Sequence, residues 1–294
     1  MQGDVKKPSL HGLAHQLGPV LIAALMFSVS DIAAKHALET GSDVLTLLSF
    51  RSVIGIGLLF AWMRLGNAPA ALPPRPKWIS LGLGLLLTLN LFWVFKAIEL
   101  VPVSIAILTY FIYPLLTGLA GAVTGIDRLT WRGFATAVVA FLGLGLIIGA
   151  HPAQLEVLGL VAAVGAAFTR MAMLLITRAA LVGADARLVT WYTLWSSMAV
   201  FVGLSLVTLN WQAPHTAMGW VAFVGLGFTT TTAILTLYVS TQRIGPFRTA
   251  LFMNLEPLIT AILSTILLGD RLTLLQVAGG AVMIAALCAF QLRR

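Results

Sequence analysis

Long apolar runs, broken by proline, glycine or short charged clusters, recur along the whole 294-residue chain. Ten of them begin near residues 18, 44, 78, 103, 131, 157, 188, 216, 246 and 272, and each extends for about 18 to 25 residues. The 55 residues between Arg187 and Arg243 contain no Asp, Glu, Lys or Arg, and Leu272 to Leu292 is a second uncharged stretch. Runs of that length can cross a hydrocarbon layer of about 30 Å as helices. The alternating apolar-polar signature of a barrel strand is absent, and in lipid each backbone polar group needs a partner within its own segment. The pattern therefore predicts an all-α polytopic membrane protein with ten transmembrane helices.

Composition strengthens this picture. Hydrophobic residues make up 59% of the chain and charged residues only 10%, against about 25% charge in a soluble domain. So few charges cannot coat the outside of a water-soluble globule, which excludes a soluble enzyme. The first 17 residues are polar, lack a small-residue cleavage pattern and precede a full-length span, so no removable signal peptide is expected. Cys288, the single cysteine, sits in an apolar run and rules out a disulfide framework or a thiolate metal site. The five histidines, His11, His15, His36, His151 and His215, fall in the tail or at span ends, which leaves no intramembrane histidine relay and no zinc pair. A phosphate-binding Gly-rich loop ending in Lys is also missing. No metal, cofactor or enzymatic activity is expected.

The net charge of +8 reads as topology once it is distributed along the chain. With a cytoplasmic N-terminus, 13 of the 18 basic residues fall on cytoplasmic segments: Lys6, Lys7, Arg64, Arg75, Lys77, Arg128, Arg132, Arg178, Arg187, Arg243, Arg248, Arg293 and Arg294. Only Lys35, Lys96 and Arg271 fall at outer ends, while Arg51 and Arg170 lie within spans. This bias predicts both termini in the cytoplasm. Basic residues spread over six short segments do not form the clustered surface that nucleic acid requires.

The chain also repeats itself. Asp127-Arg128-Leu129-Thr130 recurs as Asp270-Arg271-Leu272-Thr273, an offset of 143 that also superposes Pro114 on Pro257. The expected organisation is a tail over 1–17, a first five-helix repeat over 18–150 and a second over 154–292. Five is an odd number, so the second copy enters the membrane upside down. Inverted repeats are an architecture of secondary transporters, whose site lies near the bilayer midplane between the halves.

The repeated Gly-x-Asp-Arg-Leu-Thr or Gly-Asp-Arg-Leu-Thr turn, each preceded by a proline-containing span, resembles the EamA family of the drug/metabolite transporter superfamily. That family usually has Glu where this chain has Asp. Ser30-Asp31-Ile32-Ala33-Ala34-Lys35, Phe50-Arg51 and Thr177-Arg178 resemble a subset with an Asp-x-x-x-Lys pattern and a downstream arginine. The resemblance implies a ten-helix inner-membrane carrier of small metabolites, with members linked to amino acids, riboflavin, S-adenosylmethionine and opine-type metallophores.

Candidate site residues are the polar groups that lipid would not tolerate. A charge at mid-bilayer costs roughly 2.5 to 3.5 kcal/mol on insertion scales, so each must face a partner or a water-filled cavity. Asp31 and Lys35 share a helical face, and Asp31 and Arg51 both lie in the outer half of neighbouring spans. They form either a structural ion pair or a ligand-facing cluster. Glu256 lies nearest mid-span and precedes Pro257, which can kink its helix and open a polar niche. Tyr113 is its repeat equivalent, and Arg170 falls near the same depth. Glu256 either lines a cavity or serves as a partner of Arg170 or of backbone. Asn90, Tyr110, Thr232 and Tyr238 complete the set, with Thr229, Thr232 and Thr236 on one helical face where hydroxyls often bond their own backbone. Trp191 and Trp195 suit an interfacial belt before a stacking site for a ring-bearing substrate, Lys96 and Glu99 a solvated pair before an outer gate, and Gly121 and Gly125 close helix packing.

The function expected is a secondary active transporter moving a small polar metabolite, amino-acid-like or otherwise anionic or zwitterionic, by alternating access. Export with proton antiport is the expected mode, and the excess of Lys35, Arg51 and Arg170 over Asp31 and Glu256 by one favours a substrate with a carboxylate or phosphate. Uptake or exchange by the same fold is the alternative, and a membrane-embedded enzyme, receptor or scaffold is the other class. Its partners would be the metabolite, the bilayer and protons, with a homodimer left open.

Overall fold

A computed structural model of the chain describes residues 10–149, 156–209, 211–268 and 272–292. Among them are twelve α-helices and no strand. The first repeat holds α1 (Leu10–Glu39), α2 (Val44–Leu65), α3 (Pro74–Leu100), α4 (Val103–Tyr110), α5 (Tyr113–Val123) and α6 (Trp131–Ile148). The second holds α7 (Val157–Ala180), α8 (Ala186–Thr208), α9 (Ala217–Ile244), α10 (Pro246–Met253), α11 (Leu255–Leu268) and α12 (Leu274–Leu292). Ten stretches are long and apolar enough to cross a membrane, two of them broken: α4 with α5 over Val103–Val123, and α10 with α11 over Pro246–Leu267. The expected starts depart most at α1, which begins at Leu10 rather than 18 and so takes in part of the expected tail, and at α3, which begins at Pro74 rather than 78. Proline fits the first helical turn because its missing N–H has no intrahelical partner there, and Arg75 and Lys77 hide that turn from a hydropathy reading.

Both breaks have the same cause. Pro114 and Pro257 cannot donate to the carbonyls four residues earlier, those of Tyr110 and Met253, and those are the residues at which α4 and α10 end. At the second break Asn254 compensates, its Nδ2 donating to the Leu251 carbonyl at 2.9 Å.

The offset of 143 holds through the entire architecture. It maps α10 onto α4, α9 onto α3, α8 onto α2 and α12 onto α6 with ends agreeing to a residue. Packing repeats as well, since α1 lies along α9 as α7 lies along α3, and α2 packs on α9 as α8 packs on α3. The self-equivalent pairs, α2 with α8 and α6 with α12, meet on the pseudo-two-fold axis. There Gly143 and Gly279 bring α6 and α12 together so tightly that a Cβ on Gly279 would lie 2.5 Å from the Gly143 carbonyl oxygen. Close approach through small residues is how lipid-embedded helices gain packing energy without a hydrophobic drive. The chain is thus ten transmembrane helices in two inverted five-helix repeats. The start of α1 and the end of α12 share one side, the terminal face, and the opposite side is the far face.

Side-chain caps set several helix starts. Thr130 accepts from the Gly133 N–H at 3.1 Å to open α6, and its repeat equivalent Thr273 accepts from the Gln276 N–H at 3.3 Å to open α12. Asp43 caps α2 through the Thr46 N–H and also accepts from the Thr46 hydroxyl and, at 2.9 Å, from the Gln212 N–H. Burial pushes the Asp43 carboxyl up, but these bonds together hold it below the ordinary carboxylate value. Asp185 caps α8, and its hydrogen bonds with Arg187 hold its carboxyl below that value too.

The expected packing role of Gly121 and Gly125 is not what the fold uses. Helix α5 ends at Val123, Gly125 adopts a left-handed φ of +70° in the following turn, and the Gly121 carbonyl accepts from the Asp127 N–H. The two glycines let the Asp127 turn fold back on α5. The second tetrapeptide's Asp270 and Arg271 lie outside the described residues.

Candidate functional site

Between the repeats lies a cavity of about 730 Å³. Its floor is at mid-bundle, at Tyr110, Arg170 and Glu256, and its mouth is at Ile147, Ile148, Leu272 and Gln276, the far-face ends of α6 and α12. It is therefore open toward the far face. Phe27, Ser30 and Asp31 of α1, Arg51 of α2, Asn90 of α3 and Thr230 of α9 line its sides, with Glu256, Thr260 and Ser264 descending one face of α11.

Of the charges singled out in the sequence, Asp31, Arg51, Arg170 and Glu256 come from four helices to this one space. Among the described residues no ion pair joins them. Asp31 accepts instead from the Thr260 hydroxyl at 3.3 Å. Arg170 is 5% exposed and its guanidinium carbon lies 5.2 Å from the centre of the Phe27 ring and 5.9 Å from that of Tyr113. Among the described residues its Nε has no hydrogen-bond partner, and neither has that of Arg51. Aromatic faces offset part of the cost of burying a cation while leaving guanidinium donors unspent. Glu256 occupies the first turn of α11, where the helix dipole favours a negative charge, and its backbone carbonyl accepts from Ser28 at 2.8 Å.

The remaining residues divide between wall and scaffold. Tyr110 lines the cavity, and so does Asn90, whose Nδ2 donates to the Ala166 carbonyl at 2.7 Å and to Thr169 at 3.0 Å and so ties α3 to α7. Tyr113 lies behind the wall, 1% exposed. Lys35, one turn beyond Asp31, is exposed outside the cavity. Thr232 bonds the Phe228 carbonyl of its own helix, and Tyr238 donates to Thr193 between α9 and α8. Neither lines the cavity. Trp191 and Trp195 form an edge-to-face pair on α8 away from it, and Lys96 pairs with Glu99 at 3.1 Å on an exposed surface.

Sequence reasoning missed Ser30, Thr230, Thr260, Ser264 and Gln276. Thr260 and Ser264 carried a readable signal, since they follow Glu256 at i+4 and i+8 and so share its helical face. Ser30 and Thr230 bond each other at 2.8 Å, a cross-repeat contact with no local signature.

The model of the EamA-like transporter family matches residues 18–149 and again 157–290. The chain belongs to the EamA-like transporter family. This EamA-like membrane transporter is also similar to a solved structure described only as "Crystal structure of protein", with a TM-score of 0.81 and 20% identity over 95% of this chain and 100% of that one. At that identity the likeness shows the fold alone. No curated protein matches the transporter in sequence.

Proposed function

We propose that the chain is a secondary active transporter that carries a small anionic or zwitterionic metabolite across the inner membrane by alternating access, as proton-coupled export, with its terminal face in the cytoplasm. The observation that carries this reading is the cavity. Its volume is within the range of small-molecule sites, and it holds two carboxylates and two guanidinium groups within the membrane, Arg170 and Glu256 at its mid-bundle floor and Asp31 and Arg51 on its sides. Unpaired charges at that depth are costly unless they serve a ligand or an ion. The guanidinium donors suit a carboxylate or phosphate, and the carboxylates suit an ammonium group or a proton. The chain has no nucleotide-binding loop, so an ion gradient is the energy source that fits it. The excess of Lys and Arg on the segments that meet the terminal face supports its cytoplasmic placement.

The test begins with a thermal-shift screen of the purified protein against amino acids, nucleoside-type metabolites and flavins, since a ligand stabilises by its binding free energy. Counterflow of the hit in liposomes containing only this protein then separates a transporter from a receptor or scaffold. Glu256→Gln keeps shape but fixes the site neutral. Counterflow that survives while pH-driven net transport disappears assigns the proton to Glu256. Net transport that still follows the pH gradient removes it from the coupling role.

A further inference from the structure

The offset of 143 pairs every residue at the open mouth with one at the closed terminal face. Ile148, Ala261, Leu272 and Gln276 line the cavity, and their equivalents are Gln291, Gly118, Leu129 and Gly133. Two of these, Gly118 and Gly133, flank a plug. The Phe247 ring fills a notch in which a Cβ on Gly118 would lie 2.8 Å and one on Gly133 2.9 Å from ring atoms, and Leu129 packs beside Gly118, where the same Cβ would lie 3.0 Å from it. Phe247 is 3% exposed and meets Phe290 edge to face. Its backbone N–H donates to Asp127 Oδ2 at 3.1 Å, so the turn of one repeat caps the broken span of the other. The approach requires Gly245, whose φ is +90° and whose Cβ would stand 2.8 Å from the same carboxylate oxygen. Thr117 is fully buried beneath the plug, whereas its equivalent Thr260 lines the cavity.

We infer that Phe247, seated between Gly118 and Gly133 and capped by Asp127, is the terminal-face gate, and that its asymmetry makes the far-face-open state the resting one. In the first repeat Ser104 stands where Phe247 stands in the second, and Ala261 and Gln276 stand where the notch glycines stand. The far face thus has neither plug nor notch, and closure there forms no equivalent contact. A ligand that binds both states equally leaves this balance unchanged, so closing the far face requires substrate or protons to bind the far-face-closed state more tightly. The inference rests on the alternating-access reading above and adds the residues that set its equilibrium.

The experiment uses the full-length protein in oriented vesicles, with Cys288→Ala removing the single native thiol. Ser264→Cys reports far-face opening and Thr117→Cys reports terminal-face opening, each read as a rate of labelling by a membrane-impermeant maleimide added on that side. Phe247→Ala is expected to speed terminal-face labelling about tenfold or more and to slow far-face labelling, because the state that held the plug loses its contacts. Asp127→Ala should move both rates the same way by less, and it covers the case in which Phe247→Ala fails to fold. Ser104→Phe combined with Gln276→Gly installs a plug and notch on the far face and should slow far-face labelling. If folded Phe247→Ala and Asp127→Ala proteins both label at the unaltered rates, the gate is wrong while alternating access stands. If the Thr117→Cys reporter is never labelled in any variant, alternating access itself is wrong and the gate goes with it.

Discussion

Arg170→Met separates binding from folding. The side chain is 5% exposed, lies over Phe27 and Tyr113, and has an Nε without a partner among the described residues. Methionine is nearly as long and keeps the ring contacts while deleting the charge. For folding, the loss of two cation–π contacts at about 0.5 to 2 kcal/mol each opposes the removal of a desolvated cation, and replacing a buried charge by an apolar group of like volume is often neutral. The melting temperature is therefore expected to stay within about 5 °C of the unaltered protein. For binding, a substrate anion loses a charge-assisted hydrogen bond worth roughly 1.5 to 3 kcal/mol, which is a rise of about 10- to 150-fold in Kd. Arg170→Lys keeps the charge but loses the planar fork, so it should fall between the two. Thermal-shift titration gives the affinity and liposome counterflow the half-saturation. A folded Arg170→Met protein that binds and exchanges its substrate with unchanged affinity would refute the reasoning and leave Arg170 as a purely structural cation.

Three further outcomes follow from the same geometry. Tags at both termini should be reached only from the cytoplasm, and a Thr273→Cys protein in the Cys288→Ala background should label from outside; cytoplasmic labelling would reverse the topology. Because no ion pair joins Asp31 to Arg51, losses of stability in Asp31→Asn, Arg51→Gln and the double variant should add to within about 0.5 kcal/mol, and a double variant milder than either single one would reveal a pair. Asp43→Ala should cost about 1 kcal/mol at neutral pH. Since the folded carboxyl of Asp43 is held low, its contribution is present above the ordinary carboxylate value and is lost as pH falls toward the folded one. The gap between variant and parent melting curves should therefore close on acidification, and a constant gap would contradict the cap.

The ten spans were legible because lipid imposes one requirement, an apolar helical stretch long enough to cross it, that the hydropathy pattern reports even where a proline breaks the helix. The inversion was legible from one tetrapeptide and one proline, because an odd number of spans leaves no other orientation for the copy. The position of the breaks was half legible. Pro257 marked a kink, but that the helix would end at Met253 follows from which carbonyl the proline leaves unpaired. Asp31, Arg51, Arg170 and Glu256 stood out because charge in an apolar run is rare. Thr232 and Tyr238 stood out for polarity alone, and polarity says nothing of which face a residue occupies. The Ser30 and Thr230 contact spans 200 residues, and only packing of α1 along α9 creates it.

The repeat explains how these charges come to line a single cavity. Each charged group of the cavity, and Asn90 with them, has an apolar or aromatic counterpart 143 positions away: Leu174 for Asp31, Leu194 for Arg51, Ala233 for Asn90, Phe27 for Arg170 and Tyr113 for Glu256. The scaffold keeps its two-fold symmetry while the chemistry discards it. Two symmetric copies of a charged site would double the cost of burying charge and offer a substrate two opposed orientations. One copy built close to the axis avoids both, and the stacking of Arg170 on its own repeat partner Phe27 places it there. Under the proposed alternating access, a group near the axis would move least as the two halves rock about it, so the same guanidinium and carboxylate would face either side of the membrane in turn.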